Sequence, residues 1–201
     1  MKSYFNNFNN FNNFNNFINN SNLKNIKLLF DDADAILIGG GAGLSTSAGL
    51  SYSGERFTSN FQDFIQKYNL TDMYSSAFYE FPDRETHWAY WSKHIYLNRF
   101  ADIDSTLNNA YPLLLNLVKN KNYFILTTNA DNLFIRSGFS KNSIFYVQGN
   151  YGLFQCSRAC HNQTYDNQDI IYKMLDYQRN TKNSLVIPSE LIPYCPKCGA
   201  E

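Results

Sequence analysis

The chain has no surplus of either charge. Lys plus Arg and Asp plus Glu number 17 each, for a formal net charge of +0. It therefore lacks the basic excess that a nucleic-acid polyanion demands, and no nucleic-acid partner is expected. Long apolar runs are missing too. Nothing approaches the roughly 20 residues that span a bilayer, so no membrane partner is expected either. Cysteine is absent from the first 155 residues, which argues against a chain-wide disulfide framework and makes the four cysteines a local feature. The first 20 residues hold one Lys and no Arg, too little for a transit peptide, and they have no continuous apolar core of the signal-peptide kind. Cysteines held for a metal fit a reducing interior, so a cytoplasmic location is the expectation.

What is present is aromatic and hydrophobic. With 201 residues, 44% hydrophobic and 17% aromatic, the chain can bury a sizeable core in one domain of ordinary size. Residues 1–22 are low-complexity: Phe5, Phe8, Phe11, Phe14 and Phe17 recur every three residues, mostly separated by Asn-Asn. That period fits neither a helical stripe nor a strand, and the segment is expected to be a disordered tail with no part in chemistry.

A helix is expected over 23–32 and a buried strand at Ala35–Ile38. Then comes Gly39-Gly40-Gly41-Ala42-Gly43-Leu44-Ser45-Thr46-Ser47-Ala48-Gly49-Leu50. A strand, a glycine-rich turn and small residues opening a helix form the phosphate cradle of a dinucleotide fold, because bare backbone can approach a pyrophosphate and the helix start offers free N–H groups. The usual G-x-G-x-x-G is only partly met: Gly41 and Gly43 fit, while Thr46 stands where the third glycine belongs. A helix over 59–68 places Phe61, Phe64 and Ile65 on one face. Residues 73–100 are aromatic-rich and expected to be mostly helical, packing as a lid or a small-domain core. His87 and His94 share this stretch, but no third ligand is spaced to join them in a metal site. A helix over 105–120 leads to a second buried strand, Tyr123–Thr127, and a third follows at Ile144–Val147. The strands run into the glycine loop, into Thr128-Asn129-Ala130-Asp131 and into Gln148-Gly149. In an open parallel sheet that edge is where ligands bind.

The cysteines come as Cys156-x-x-x-Cys160 and, after 34 intervening residues, Cys195-x-x-Cys198. Two close thiolate pairs suit a tetrahedral structural zinc, with Pro193, Pro196 and Gly199 shaping the second turn and His161 as a substitute ligand. The alternative is free buried thiols.

Together these pieces resemble the sirtuin (Sir2) family. The residues carrying the resemblance are Gly41 to Gly49, the run Thr127-Thr128-Asn129-Ala130-Asp131 and the four cysteines, in the family's order over about residues 23–201. The resemblance implies an α/β fold: a Rossmann-like parallel sheet (about 23–50 and 105–150) with a small zinc-ribbon and helical domain (about 51–104 and 151–201). It implies NAD as a consumed substrate and a structural Zn²⁺ on Cys156, Cys160, Cys195 and Cys198. NAD would be bound by Gly41, Ala42, Gly43, Ser45, Ala48, Thr128, Asn129 and Asp131. Asn129 would orient the ribose or a water, and Asp131 would hold the nicotinamide carboxamide.

Two departures from the family redirect the chemistry. The catalytic histidine of its His-Gly pair is replaced by Gln148, before Gly149, and Ser51-Tyr52-Ser53-Gly54 stand where a Pro-Asp-Phe-Arg run is usual. With the segments 146–152 and 160–167, they resemble the macrodomain-linked class M branch. That resemblance implies ADP-ribosylation of a lipoylated carrier protein, and a macrodomain partner. An imidazole can take a proton near neutral pH; a glutamine amide can only donate or accept a hydrogen bond. Asn129, Asp131 and Gln148 are the catalytic candidates. The competing readings are an NAD-dependent deacylase and a non-catalytic, zinc-stabilised remnant. The sequence stops just after the second cysteine pair, where the family returns to its sheet, so a sheet cut short is expected.

Overall fold

The computed structural model describes residues 20–102, 109–181 and 183–201; the aromatic tail and the start of the helix expected over 105–120 lie outside them. Helix α1 (Asn20–Asp32) leads into strand β1 (Ala35–Gly40), which runs into the short helix α2 (Ala42–Ser47). Four helices follow: α3 (Glu55–Asn60), α4 (Gln62–Tyr68), α5 (Met73–Ser76) and α6 (Arg84–Ile95), the last continuing into a π-helical turn at Tyr96–Phe100. The chain then returns through α7 (Ala110–Val118), β2 (Asn122–Thr127), α8 (Leu133–Arg136) and β3 (Ile144–Tyr146). A hairpin of β4 (Leu153–Gln155) and β5 (Thr164–Asp166) and the helix α9 (Gln168–Thr181) complete it.

Strands β1, β2 and β3 form a parallel sheet in that order. Its register sets Gly40 beside Thr127 and Thr127 beside Tyr146, so all three strands end at one edge. Alternation decides the faces. Ile38, Ile125 and Thr127 point into a core shared with Tyr111, Val118, Leu133, Phe134 and Phe139. On the other face Leu37 is 72% exposed, and Phe124, Leu126 and Phe145 are exposed as well. Apolar residues on both faces are the pattern of a parallel strand meant to be covered twice; within the described residues one cover is present.

The second core is aromatic. Phe57, Phe61, Phe64, Met73, Tyr90, Ile171 and Met174 are nearly inaccessible to solvent, and the Phe61 ring lies 4.9 Å from Tyr90 and 5.4 Å from Phe57. The helix expected over 59–68 is instead two helices broken at Phe61, whose φ of −123° and ψ of 22° leave the helical region. Phe57, Phe61 and Phe64, at i, i+4 and i+7, still share one face across the break and meet in the aromatic core. Two elements were not anticipated. The β4–β5 hairpin is too short for a periodicity to register, whereas α9 carries a helical stripe, Ile171, Met174, Leu175 and Gln178, all buried. Among the described residues no helix is long and apolar enough to cross a membrane.

Candidate functional site

The common edge of the sheet gathers the expected residues. Gly41 caps α2 in an extended conformation, φ −129° and ψ −177°, with no side chain bonded to the helix start. The N–H groups of this first turn therefore have no capping side chain. A Cβ on Gly43 would meet nothing within 4 Å, and one on Gly41 only Thr128 Oγ1 at 4.0 Å. Gly40 differs: a Cβ there would stand 2.8 Å from Phe134 Cε2, so this glycine serves packing. Ala48, 1% exposed, is also packed into the core, and Thr128 is exposed beside the loop.

Beyond β2 the chain is pinned to this loop. Asn129 donates from Nδ2 to the Gly41 carbonyl at 2.9 Å and lies 3.4 Å from the Tyr111 hydroxyl. Its own N–H bonds Thr127 Oγ1 at 3.0 Å, while the Thr127 hydroxyl donates to Gly40 O. Asp131, 4% exposed, accepts from Ser45 Oγ at 2.5 Å and from Leu133 N–H at 2.8 Å. Burial raises its carboxyl pKa, and the Ser45 and Leu133 bonds only partly oppose that. Four phenols sense this charge. Tyr111 and Tyr146 are each raised to about 12, first by burial and next by Asp131, and Tyr52 and Tyr151 also shift upward with burial first and Asp131 among the causes.

Gln148 lies at the same edge, exposed, just past β3 and before Gly149 at φ 81°. Val147 N–H still bonds Thr127 O at 2.8 Å, which ties this segment to the end of β2. No imidazole is available to replace it: of the chain's three histidines, His94 is buried and its pKa is pushed down to about 3 by burial, His161 sits against Cys195, and His87 lines a cavity elsewhere. That cavity, about 890 Å³, lies between α6 and the cysteine ribbon and includes none of the glycine-loop residues. Sequence reasoning missed Tyr52, Tyr111, Tyr146 and Tyr151 around Asp131. They come from separate segments; the class M resemblance marks the segments of Tyr52, Tyr146 and Tyr151, but nothing local places the phenols around Asp131.

The cysteines converge. All four sulfurs lie within 4.8 Å of one another, with Cys156–Cys198 at 3.5 Å and Cys160–Cys195 at 3.7 Å. A tetrahedral zinc with bonds of about 2.3 Å separates its sulfurs by about 3.8 Å, whereas a disulfide needs about 2.05 Å. The donors therefore fit a closed structural zinc site. Backbone N–H groups of the following turn lower the first thiol of each pair: Cys160 leads for Cys156, brought down to about 6, and Cys198 for Cys195. The extra residue of the first pair is absorbed by Ala159, at φ 48°. His161 Nε2 approaches Cys195 Sγ at 3.3 Å and so sits beside a complete four-sulfur set.

This architecture is that of the sirtuins. The described residues superimpose on a Sir2 homologue–NAD complex with a TM-score of 0.53 and 18% identity, over 89% of this chain and 58% of the other. A Sir2 homologue variant in complex with 2′-O-acetyl ADP ribose gives 0.54 and 16%, over 88% and 59%. The fold is therefore that of the solved Sir2 structures. By sequence it is 46% identical over 170 residues to a "Protein ADP-ribosyltransferase" of Staphylococcus aureus (strain Mu50), covering 85% of this chain and 52% of that protein. It is 33% identical over 174 residues to a "Probable bifunctional ADP-ribose hydrolase/ADP-ribosyltransferase" of Fusarium oxysporum f. sp. cubense, covering 84% of this chain and 28% of that one. The chain thus spans about half, or less, of these relatives. No protein-family profile matches it.

Two outcomes are expected. Chelation should release one zinc per chain. If the ribbon is saturated a hundredfold above its Kd, losing the metal removes about 3 kcal/mol and lowers Tm by roughly 6–12 °C in calorimetry. Asp131→Asn keeps the shape, with Oδ1 accepting from Leu133 N–H and Nδ2 donating to a reversed Ser45 hydroxyl, but removes a carboxylate whose ionisation the fold disfavours. A raised native pKa makes the wild type lose stability as pH climbs from the ordinary 3.8 through the native value. Urea titrations should therefore find the variant more stable at pH 7, with the difference vanishing below pH 3.8.

Proposed function

We propose that this chain carries the NAD site and reaction centre of an NAD-consuming protein ADP-ribosyltransferase, with a lipoylated carrier protein as acceptor and a macrodomain protein as partner. The observation that carries it is Gln148, an amide standing at the shared strand edge where deacylation needs an imidazole. Neither Gln148 nor the buried, uncharged His94 can take a proton near neutral pH. Transfer makes a different demand. The glycosidic bond from ribose C1′ to the nicotinamide nitrogen breaks, its electron pair leaves with nicotinamide, and an acceptor nucleophile bonds C1′ and releases its own proton. Positive charge develops on the sugar, and preorganised groups count for more than a base there.

The residues present suit those tasks. The side-chain-free start of α2 offers N–H groups to the pyrophosphate. Asp131, fixed by Ser45 and Leu133, offers a carboxylate to the nicotinamide carboxamide and negative charge to the sugar. Asn129 holds the loop at Gly41, and in this reading it orients the ribose. The names of the two relatives support the transferase reading. The second name couples it to ADP-ribose removal, which supports a macrodomain partner, and the lipoylated acceptor rests on the class M resemblance.

Asn129→Ala should lower transfer of labelled ADP-ribose from NAD to a lipoylated carrier roughly 100-fold, the cost of one preorganised polar group, with the thermal melt as a folding control. No labelling by the wild type with any lipoylated acceptor, alongside robust deacetylation of an acetyl-lysine peptide, would favour the deacylase instead. Gly43→Ala separates binding from folding. The position lies inside α2 and has room, so the change should stabilise the chain by about 0.5–1 kcal/mol. Its methyl stands where the pyrophosphate must approach, so calorimetry should show weaker NAD binding.

A further inference from the structure

The two segments where the chain departs from the deacylase pattern, 51–54 and 148–152, are far apart in sequence. In the fold they touch: the Tyr52 hydroxyl lies 3.3 Å from the Tyr151 hydroxyl. Each backbone is held independently of that contact. Tyr52 O accepts from Met73 N–H at 2.7 Å, and Arg56 clamps the same loop by donating to Ser51 O at 2.8 Å, Leu97 O at 2.7 Å and Asn98 Oδ1 at 3.2 Å. Tyr151 N–H donates to Ala130 O at 2.9 Å, and Tyr151 O accepts from Asn167 Nδ2 at 2.8 Å. Behind the pair lies the buried His94 ring, stacked on Tyr52 at 5.9 Å and edge-on to Tyr151 at 5.2 Å. The bond to Ala130, between Asn129 and Asp131, brings Tyr151 to the reaction edge, and Tyr151 follows Gln148 by three residues.

We infer that Tyr52 and Tyr151 act as one positioning pair, which fixes the Gln148 segment and holds the acceptor group against the ribose. Phenols suit this work. One O–H is used within the pair, and the remaining O–H and lone pairs can meet an incoming group. Both phenols stay protonated because burial raises their pKa values, so they orient the acceptor without abstracting its proton. Two hydroxyls set on two anchored segments keep a protein acceptor in line where a loose site would admit water.

The inference rests on the transferase reading, and its test separates the two. Tyr52→Phe and Tyr151→Phe should each lower kcat for transfer to the lipoylated carrier about tenfold, the worth of one hydrogen bond, with KM for NAD unchanged. The fraction of cleaved NAD appearing as free ADP-ribose should rise. The double variant should be no worse than the poorer single, since the residues act as a unit. Losses that multiply, a KM for NAD that rises in parallel, or an unchanged ratio of transfer to hydrolysis overturn the pair. The second readout needs no turnover: 3-fluorotyrosine at position 52 should shift its ¹⁹F resonance when NAD is added and when Tyr151 becomes Phe. A wild type that fails to transfer sinks the transferase reading; a resonance deaf to both changes sinks the pair, whether or not transfer occurs.

Discussion

The site depends on the hydrogen bond from Ser45 to Asp131. These residues are 86 apart in sequence, one in the helix after β1 and the other in the turn after β2. A buried carboxylate is costly unless each oxygen is met, and here Ser45 meets one and the Leu133 N–H the other. That requirement fixes the glycine loop against the end of β2. The Asn129 bond to Gly41 O makes the same connection from the neighbouring residue. The sheet register does the rest, because parallel strands ending level with one another deliver their loops to one edge. Burial that makes Asp131 costly in the fold also leaves its charge little screened, and the proposed transfer calls for such a charge beside a cation-like sugar.

The two halves of the chain are stabilised differently. Around the sheet the core is aliphatic and backed by Tyr111, Phe134 and Phe139. The helical half is a mesh of rings, with Phe61, Phe64, Phe81 and Tyr90 in edge-on or tilted contact at 4.9–6.3 Å. Such contacts add to burial only when their geometry is kept. The ribbon needs neither device: four sulfurs and the backbone bonds around residues 195–201, such as Cys195 N to Ala200 O, shape it.

Much of this was legible in the sequence because it is carried by periodicity and spacing. The strands at 35 and 123, the glycine loop and the cysteine pairs are local signals, and the strand edge follows once the strands are taken as parallel. The break at Phe61 was not legible, because positions 57, 61 and 64 keep the spacing of one continuous helix face. Nor was the ring of phenols around Asp131, since Tyr52, Tyr111, Tyr146 and Tyr151 share no motif and meet only through tertiary structure. Gln148 was legible as a substitution, but its exposed place at the shared edge is a fact of the fold.

The sheet's uncovered face bears on how the chain breathes. Leu37, Phe124, Leu126 and Phe145 are 44–72% exposed, so they forfeit about half of the roughly 1.5–3 kcal/mol that full burial of such a side chain contributes. Among the described residues the sheet is held from one side, while the ring-packed helices are enclosed. Opening free energies are therefore graded across the molecule: amide protons of β1 to β3 exchange through shallower fluctuations than those of α6 and α9. The edge assigned to NAD in the proposed reaction belongs to the part with the least to lose by loosening.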